Sequence, residues 1–242
     1  MLEFEDFVYL DVQKTGSTAI RRFLWKFART DVVADDKHGP VARRDANKLY
    51  IISCRDPLKQ YLSLYSHGNS NKGGLRRRMN KAGMAHFYNG TNEGFTSWLE
   101  LLLDPVASQK YLIGKDNHRI LDFVGLQTLR FLTLAFASPL EVFDTIRSAD
   151  DVKDRLKMER LYGVLLKTET LTADLKNLVT GEFAKMFKDV VAAEAYLTED
   201  ARTNVSTNPG IDLEVLPPSI VARVQEREWL YFDALGYAPY AS

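Results

Sequence analysis

Lys14 brings a full positive charge to a short turn in which Ser17 and Thr18 add two hydroxyl donors and Gly16 removes a side chain from the path of a ligand. Residue types in that order suit an oxyanion with several negative oxygens. Before the turn, Phe7, Val8, Leu10 and Val12 form an apolar run with aromatic and β-branched members, which reads as a buried strand. After it a helical pattern opens, with Ser17 or Thr18 expected as its cap. The start of a helix presents unpaired N–H groups and a partial positive charge, so a phosphate fits in front of it. The sequence Gly-x-x-x-x-Gly-Lys-Ser/Thr is not present here, so the phosphate loop of ordinary nucleoside triphosphatases is not expected. The same residues also read as a polar strand-to-helix turn with no ligand.

A second junction has the same construction. Leu49 to Cys54 is a short apolar strand that ends at Arg55-Asp56-Pro57, after which Leu58, Tyr61, Leu62 and Tyr65 recur at helical spacing. Asp56 suits the helix cap and Pro57 the first turn, where no N–H is needed. Ser63 lies about two turns along, on a different face from Leu58, Leu62 and Tyr65. Ligands of open α/β sheets bind beside the carboxyl ends of strands, so two such junctions can hold two anionic groups of one molecule. A nucleotide with phosphates at both ends meets that description. For Arg55 the alternative is a salt bridge to Asp56 or a nearby acid.

These two segments resemble the sulfotransferases that use 3'-phosphoadenosine-5'-phosphosulfate (PAPS). Val12-Gln13-Lys14-Thr15-Gly16-Ser17-Thr18 is similar to their 5'-phosphosulfate loop, and Arg55-Asp56-Pro57 through Ser63-Leu64-Tyr65 to their 3'-phosphate motif. The resemblance implies that Lys14, Thr15, Gly16, Ser17 and Thr18 hold the 5'-phosphosulfate and that Arg55 and Ser63 bind the 3'-phosphate. Gln13 stands where Pro is common before the Lys, and Lys59 where Arg is frequent; neither removes an implied contact. Tyr162 to Leu171 resembles the late strand and Glu-x-Leu helix start of the family, and Asn204-Val205-Ser206 its Asn-x-Ser segment. The stretch from Pro217 to Tyr240 is similar to the terminal helix of Golgi-type carbohydrate sulfotransferases and their bacterial relatives. The implied fold is α/β, a P-loop-like three-layer arrangement with a central, mostly parallel sheet flanked by helices. Strands alternating with helical patterns point the same way.

The 242 residues are expected to form one domain over 1–242, with a loop insertion at about 68–94 where Gly, Asn, Lys and Arg accumulate. Lys plus Arg and Asp plus Glu are 32 each, so no net field favours nucleic acid or a membrane surface, and anion attraction must come from local placement. The richest apolar stretch, Phe131 to Ala137, falls short of the ~20 residues needed to cross a bilayer, so no membrane span is expected. The acidic start, Met1 to Asp6, does not read as a signal peptide, and a cytoplasmic enzyme is the expectation. Cys54 reads as a buried thiol, and no cluster has zinc-ligand spacing, so no metal is expected. Trp25 and Trp98 are expected in the core.

Sulfuryl transfer needs in-line geometry, stabilisation of the leaving phosphate and a group to take the acceptor's proton. Lys14 is assigned to the bridging oxygen of the leaving group and His38 to the base. His38 lies in the polar turn Lys37-His38-Gly39-Pro40, near where several carbohydrate sulfotransferases place a functional Lys-His pair. An exposed turn histidine is the alternative. Asp35 and Asp36 are carboxylate substitutes in the same turn, while His67, His86 and His118 are less well placed. The basic run Arg76-Arg77-Arg78 with Lys81 reads as a solvated face, or as a segment that attracts an acidic acceptor such as an anionic glycan. The expected partners are therefore PAPS and a hydroxylated acceptor, a carbohydrate or other small molecule. A nucleotide kinase-like P-loop enzyme and a catalytically inactive nucleotide- or glycan-binding module are the rival readings.

Overall fold

In the computed structural model, residues 1–112, 119–199 and 210–241 are described. They form two compact units. The first comprises Met1–Arg55, Phe131–Pro139 and Leu156–Ser206, and the second Asp56–Arg130, Leu140–Arg155 and Thr207–Ser242.

The first unit holds a five-stranded sheet of β1 (Leu2–Phe4), β2 (Phe7–Leu10), β3 (Val32–Asp35), β4 (Leu49–Cys54) and β5 (Val164–Lys167), in the order β3-β1-β2-β4-β5. β2 pairs with β4 and β4 with β5 in parallel, whereas β1 pairs with β2 and with β3 antiparallel. The sheet is therefore mixed, which corrects the expectation of a mostly parallel one. The cause is β1: Leu2 and Phe4 are buried while Glu3 points to the Lys48 ammonium, an alternation that makes a strand of a segment read as an acidic lead-in. Every residue of β2 is buried, and all but the first of β4, as expected for central strands covered on both faces. One face packs on α1 (Ser17–Phe27). With it lie Leu175, Leu178, Ala193 and Leu197 of the later helices, joined to Phe7, Tyr9 and Ile51 in one apolar cluster. Trp25 corrects another expectation, being 58% exposed on the outer side of α1, whereas Trp98 of the second unit is fully buried.

The second unit is helical. α2 (Pro57–Asn69), α3 (Gly74–Lys81), α4 (Asn92–Leu103) and α5 (Pro105–Leu112) precede α6 (Leu126–Ala135), α7 (Pro139–Phe143) and α8 (Ala149–Glu159), which carry residues of both units. α9 (Leu171–Thr180) and α10 (Val190–Glu199) belong to the first unit, and α11 (Pro218–Arg227) with α12 (Trp229–Asp233) closes the second. The segment read as a long loop contains α3. Leu75 and Met79, four residues apart, bury one face of that helix beneath a basic outer face. The terminal stripe read as one helix is two, separated at Glu228. No helix among the described residues is long and apolar enough to cross a membrane.

Candidate functional site

Because β2, β4 and β5 are parallel, their carboxyl ends share one edge of the sheet, and each runs into a turn followed by helix. The first turn leaves β2 at Asp11 and reaches α1 at Ser17. Gly16 is the N-cap with φ +77°, a left-handed conformation that favours glycine. A Cβ there would meet Leu171 Cδ2 at 3.5 Å, an ordinary contact, so the backbone angle rather than space requires the glycine. Gly16 has no side chain to accept from the helix N–H groups, which corrects the expectation that Ser17 or Thr18 caps the helix; both are already helical residues. The Ala19 N–H donates to the Gly16 carbonyl at 3.0 Å, and the Ser17 and Thr18 N–H groups, with no side-chain cap, are the ones suited to an anion. Lys14 also has a left-handed backbone, φ +68°, and among the described residues only His38, Asn71 and Ser138 share this without being glycine. Such angles cost about 1 kcal/mol or more and collect at ligand clamps. Two of the four residues are those assigned here to catalysis.

A buried hydroxyl relay stiffens the turn. The Thr15 hydroxyl donates to the Val12 carbonyl at 2.8 Å, so at 2.6 Å it must accept from Ser53, which in turn accepts from Tyr9 at 2.8 Å. All three side chains are fully buried, and burial pushes the Tyr9 phenol well above its ordinary pKa, so it remains a donor. Each bond contributes about 0.5–1.5 kcal/mol, and together they tie the turn to β4. Thr15 thus holds the turn with its hydroxyl and has its main-chain N–H to offer an anion.

The second turn leaves β4 at Arg55, whose Nη1 lies 3.5 Å from the Lys14 carbonyl oxygen. The guanidinium therefore stands against the first turn. The third turn, after β5, is joined to the second by the Thr168 hydroxyl, which donates to the Cys54 carbonyl at 3.0 Å. Sequence reading gave no role to Thr168; only its place after a strand marked it.

His38 joins the first turn through Asp11. Its main-chain N–H donates to Asp11 Oδ1 at 2.9 Å, and its Nδ1 is 2.5 Å from the Asp11 carbonyl oxygen. A carbonyl only accepts, so Nδ1 carries a proton, which leaves Nε2 as the ring nitrogen that can act as a base. The Asp11 carboxylate is fully buried and also accepts from Arg21 Nη1 at 3.1 Å, while Arg21 Nη2 reaches Asp35 Oδ1 at 2.5 Å. Asp11 and Arg21 were missed because a buried pair ten residues apart leaves no pattern in the sequence. Asp35, a substitute base on sequence grounds, is engaged in this ion pair.

Within the first unit the structure thus sets Arg55 against the turn of Lys14 to Thr18 and attaches His38 to Asp11, where that turn leaves β2. Ser63 belongs to the second unit, half-buried on α2, whose cap is Asp56 as expected: its side chain accepts from the Lys59 N–H at 2.9 Å, with Pro57 at the first position. In the basic run, Arg76 is engaged internally. It donates to the Ala85 carbonyl at 3.0 Å and lies 4.5 Å from the Tyr88 ring, while Arg77 and Arg78 are exposed. The His86 ring lies tilted against that of Phe87, with centroids 4.3 Å apart. His118, Asn204 and Ser206 lie outside the described residues. Comparisons with protein-family models, with curated proteins and with solved structures gave no match, so the reading of this site rests on the chemistry of its own residues.

Proposed function

We propose that the protein is a PAPS-dependent sulfotransferase, moving a sulfuryl group from PAPS to a hydroxyl or amine of a carbohydrate or other small-molecule acceptor. The P-loop-like character of the fold is part of the same proposal. The observation that carries it is the approach of the Arg55 guanidinium, from the end of β4, to the main chain of the Lys14 turn that follows the parallel strand β2. An ordinary triphosphate loop needs only one such turn; two suit an adenosine with phosphate on both its 3' and 5' sides. The residues present fit that group: a helix start without a side-chain cap, a lysine, a guanidinium and no carboxylate within the turn from Val12 to Thr18.

When bound, PAPS supplies the activated sulfuryl group. The N–H groups of residues 15–18 and the Ser17 hydroxyl orient the 5'-phosphosulfate. Lys14 places its ammonium at the bridging oxygen, where negative charge grows as the S–O bond breaks. Arg55 holds the 3'-phosphate, as the resemblance implies. His38 takes the acceptor's proton at Nε2 as the acceptor oxygen or nitrogen bonds to sulfur, and the Asp11 carbonyl keeps the ring in the tautomer that permits this.

The test is a transfer assay with sulfur-labelled PAPS and a panel of hydroxylated and amine acceptors, run on the wild type and on His38→Ala. Labelled acceptor is expected with the wild type, and a kcat lower by about 10²–10⁴ in the variant. No labelled product with any acceptor would contradict the proposal; unchanged turnover in the variant would move the base to Asp36 or a loop residue.

A further inference from the structure

A cleft of about 300 Å³ lies in the first unit at the amino ends of β4 and β5, the edge of the sheet opposite the Lys14 turn. Four of its lining residues are cationic, Arg44, Lys48, Lys157 and Arg160, and none is acidic. Lys48 is neutralised by Glu3, 2.7 Å away. Among the described residues, Arg44, Lys157 and Arg160 have no carboxylate within ion-pair distance. Three positive charges thus surround one small concavity in a chain whose overall charge is zero. Like charges gathered without a counter-charge repel one another, and a bound anion relieves that repulsion.

The cleft is also partly organised. The Arg160 guanidinium carbon lies 5.6 Å from the centroid of the Tyr162 ring, and that ring is held edge-on against Phe131, also at 5.6 Å. A guanidinium seated on an aromatic face keeps its fork available for oxygen atoms and loses less freedom on binding them. We propose that this cleft binds a compact polyvalent oxyanion, a pyrophosphate or closely spaced bisphosphate group, independently of the Lys14 turn. The small volume stands at the lower end of ligand pockets and excludes a large organic ligand. β4 has six residues, so its ends stand about 17 Å apart at ~3.3 Å per residue. That exceeds the Debye length of about 8 Å at physiological salt, so charge at one edge is felt weakly at the other.

Calorimetric titration with inorganic pyrophosphate at physiological salt tests the proposal, on the wild type, Lys14→Ala and the double variant Arg44→Ala/Arg160→Ala. Pyrophosphate can also enter the Lys14 turn, so Lys14→Ala is the arm in which the cleft is read alone. Binding is expected to persist in Lys14→Ala and to weaken roughly tenfold when the two arginines are also removed. Both arginines are exposed, so their loss should leave the melting temperature near that of the wild type; Arg44→Ala alone serves if it does not. Loss of all pyrophosphate binding in Lys14→Ala, or equal affinity with and without the arginines, would overturn the proposal.

Discussion

Lys14→Ala is expected to lower kcat for sulfuryl transfer by at least about 10²–10³, the usual cost of removing one group aimed at developing negative charge. The breaking S–O bond leaves its electrons on a phosphate oxygen, and an ammonium ion there acts more strongly on the transition state than on bound PAPS. KM for PAPS should therefore change far less than kcat. Lys14 is held at φ +68°, between the buried Thr15 hydroxyl and the Arg55 guanidinium, so its backbone position is fixed by neighbours. Alanine at the same angle carries a similar backbone cost, and the turn should survive the substitution. Lys14→Arg restores charge without the compact ammonium and is expected to recover only part of the rate. If Lys14→Ala turned over PAPS at the wild-type rate, the lysine would have no place in the chemistry.

The second large effect falls on stability. Glu228 of the second unit is fully buried, and its carboxylate accepts from Tyr61 at 2.5 Å, from the Thr128 hydroxyl and N–H at 2.7 Å each, and from the Gln127 N–H at 3.0 Å. The two N–H groups belong to the first turn of α6, which has no partners of its own for them. Burial and the neighbouring carboxylate push the Tyr61 phenol well above its ordinary pKa, so it stays protonated and donates. Glu228→Ala leaves these donors without an acceptor and opens a cavity. A loss of about 3–5 kcal/mol is expected, a large share of the ~5–15 kcal/mol that holds most domains. In thermal denaturation this is a fall of roughly 6–20 °C, taking about 2–4 °C per kcal/mol for a chain of this length. Gly125 belongs to the same arrangement: a Cβ there would lie 2.2 Å from Glu228 Oε1. Melting of Glu228→Ala within a degree of the wild type would show that the carboxylate is replaceable.

Elements whose hydrophobic period agreed with their ends were readable from sequence. β2 and β4 show as apolar runs because both faces are covered, and α2 shows through the Asp56 cap and Pro57 before Leu58, Tyr61, Leu62 and Tyr65. β1 was not readable, since three residues with one charged member have no period until a partner strand is known. α3 was hidden by its charge: Leu75 and Met79 are its two buried residues, and the arginines between them read as loop. Trp25 was misplaced because aromatic bulk points to burial on average, whereas its position on α1 falls outside the stripe of Ile20, Phe23, Leu24 and Phe27.

At the candidate site, the residue types of the Lys14 turn were legible and their supports were not. Gly16 was placed in the turn for its lack of a side chain, and the structure gives its backbone angle as the reason. The relay through Tyr9, Ser53 and Thr15 joins residues up to 44 apart, and the Asp11 attachment of His38 spans 27. Such separations are set by strand pairing, which appears only when β2 and β4 lie side by side.

The most direct test of the two-junction reading is calorimetric binding of adenosine 3',5'-bisphosphate and of ATP to the wild type and to Arg55→Ala. The bisphosphate is expected to bind the wild type at least about tenfold more tightly than ATP, a difference of ~1.4 kcal/mol, and to lose that advantage in the variant. Equal affinity for the two nucleotides, or a preference that survives the loss of Arg55, would contradict it.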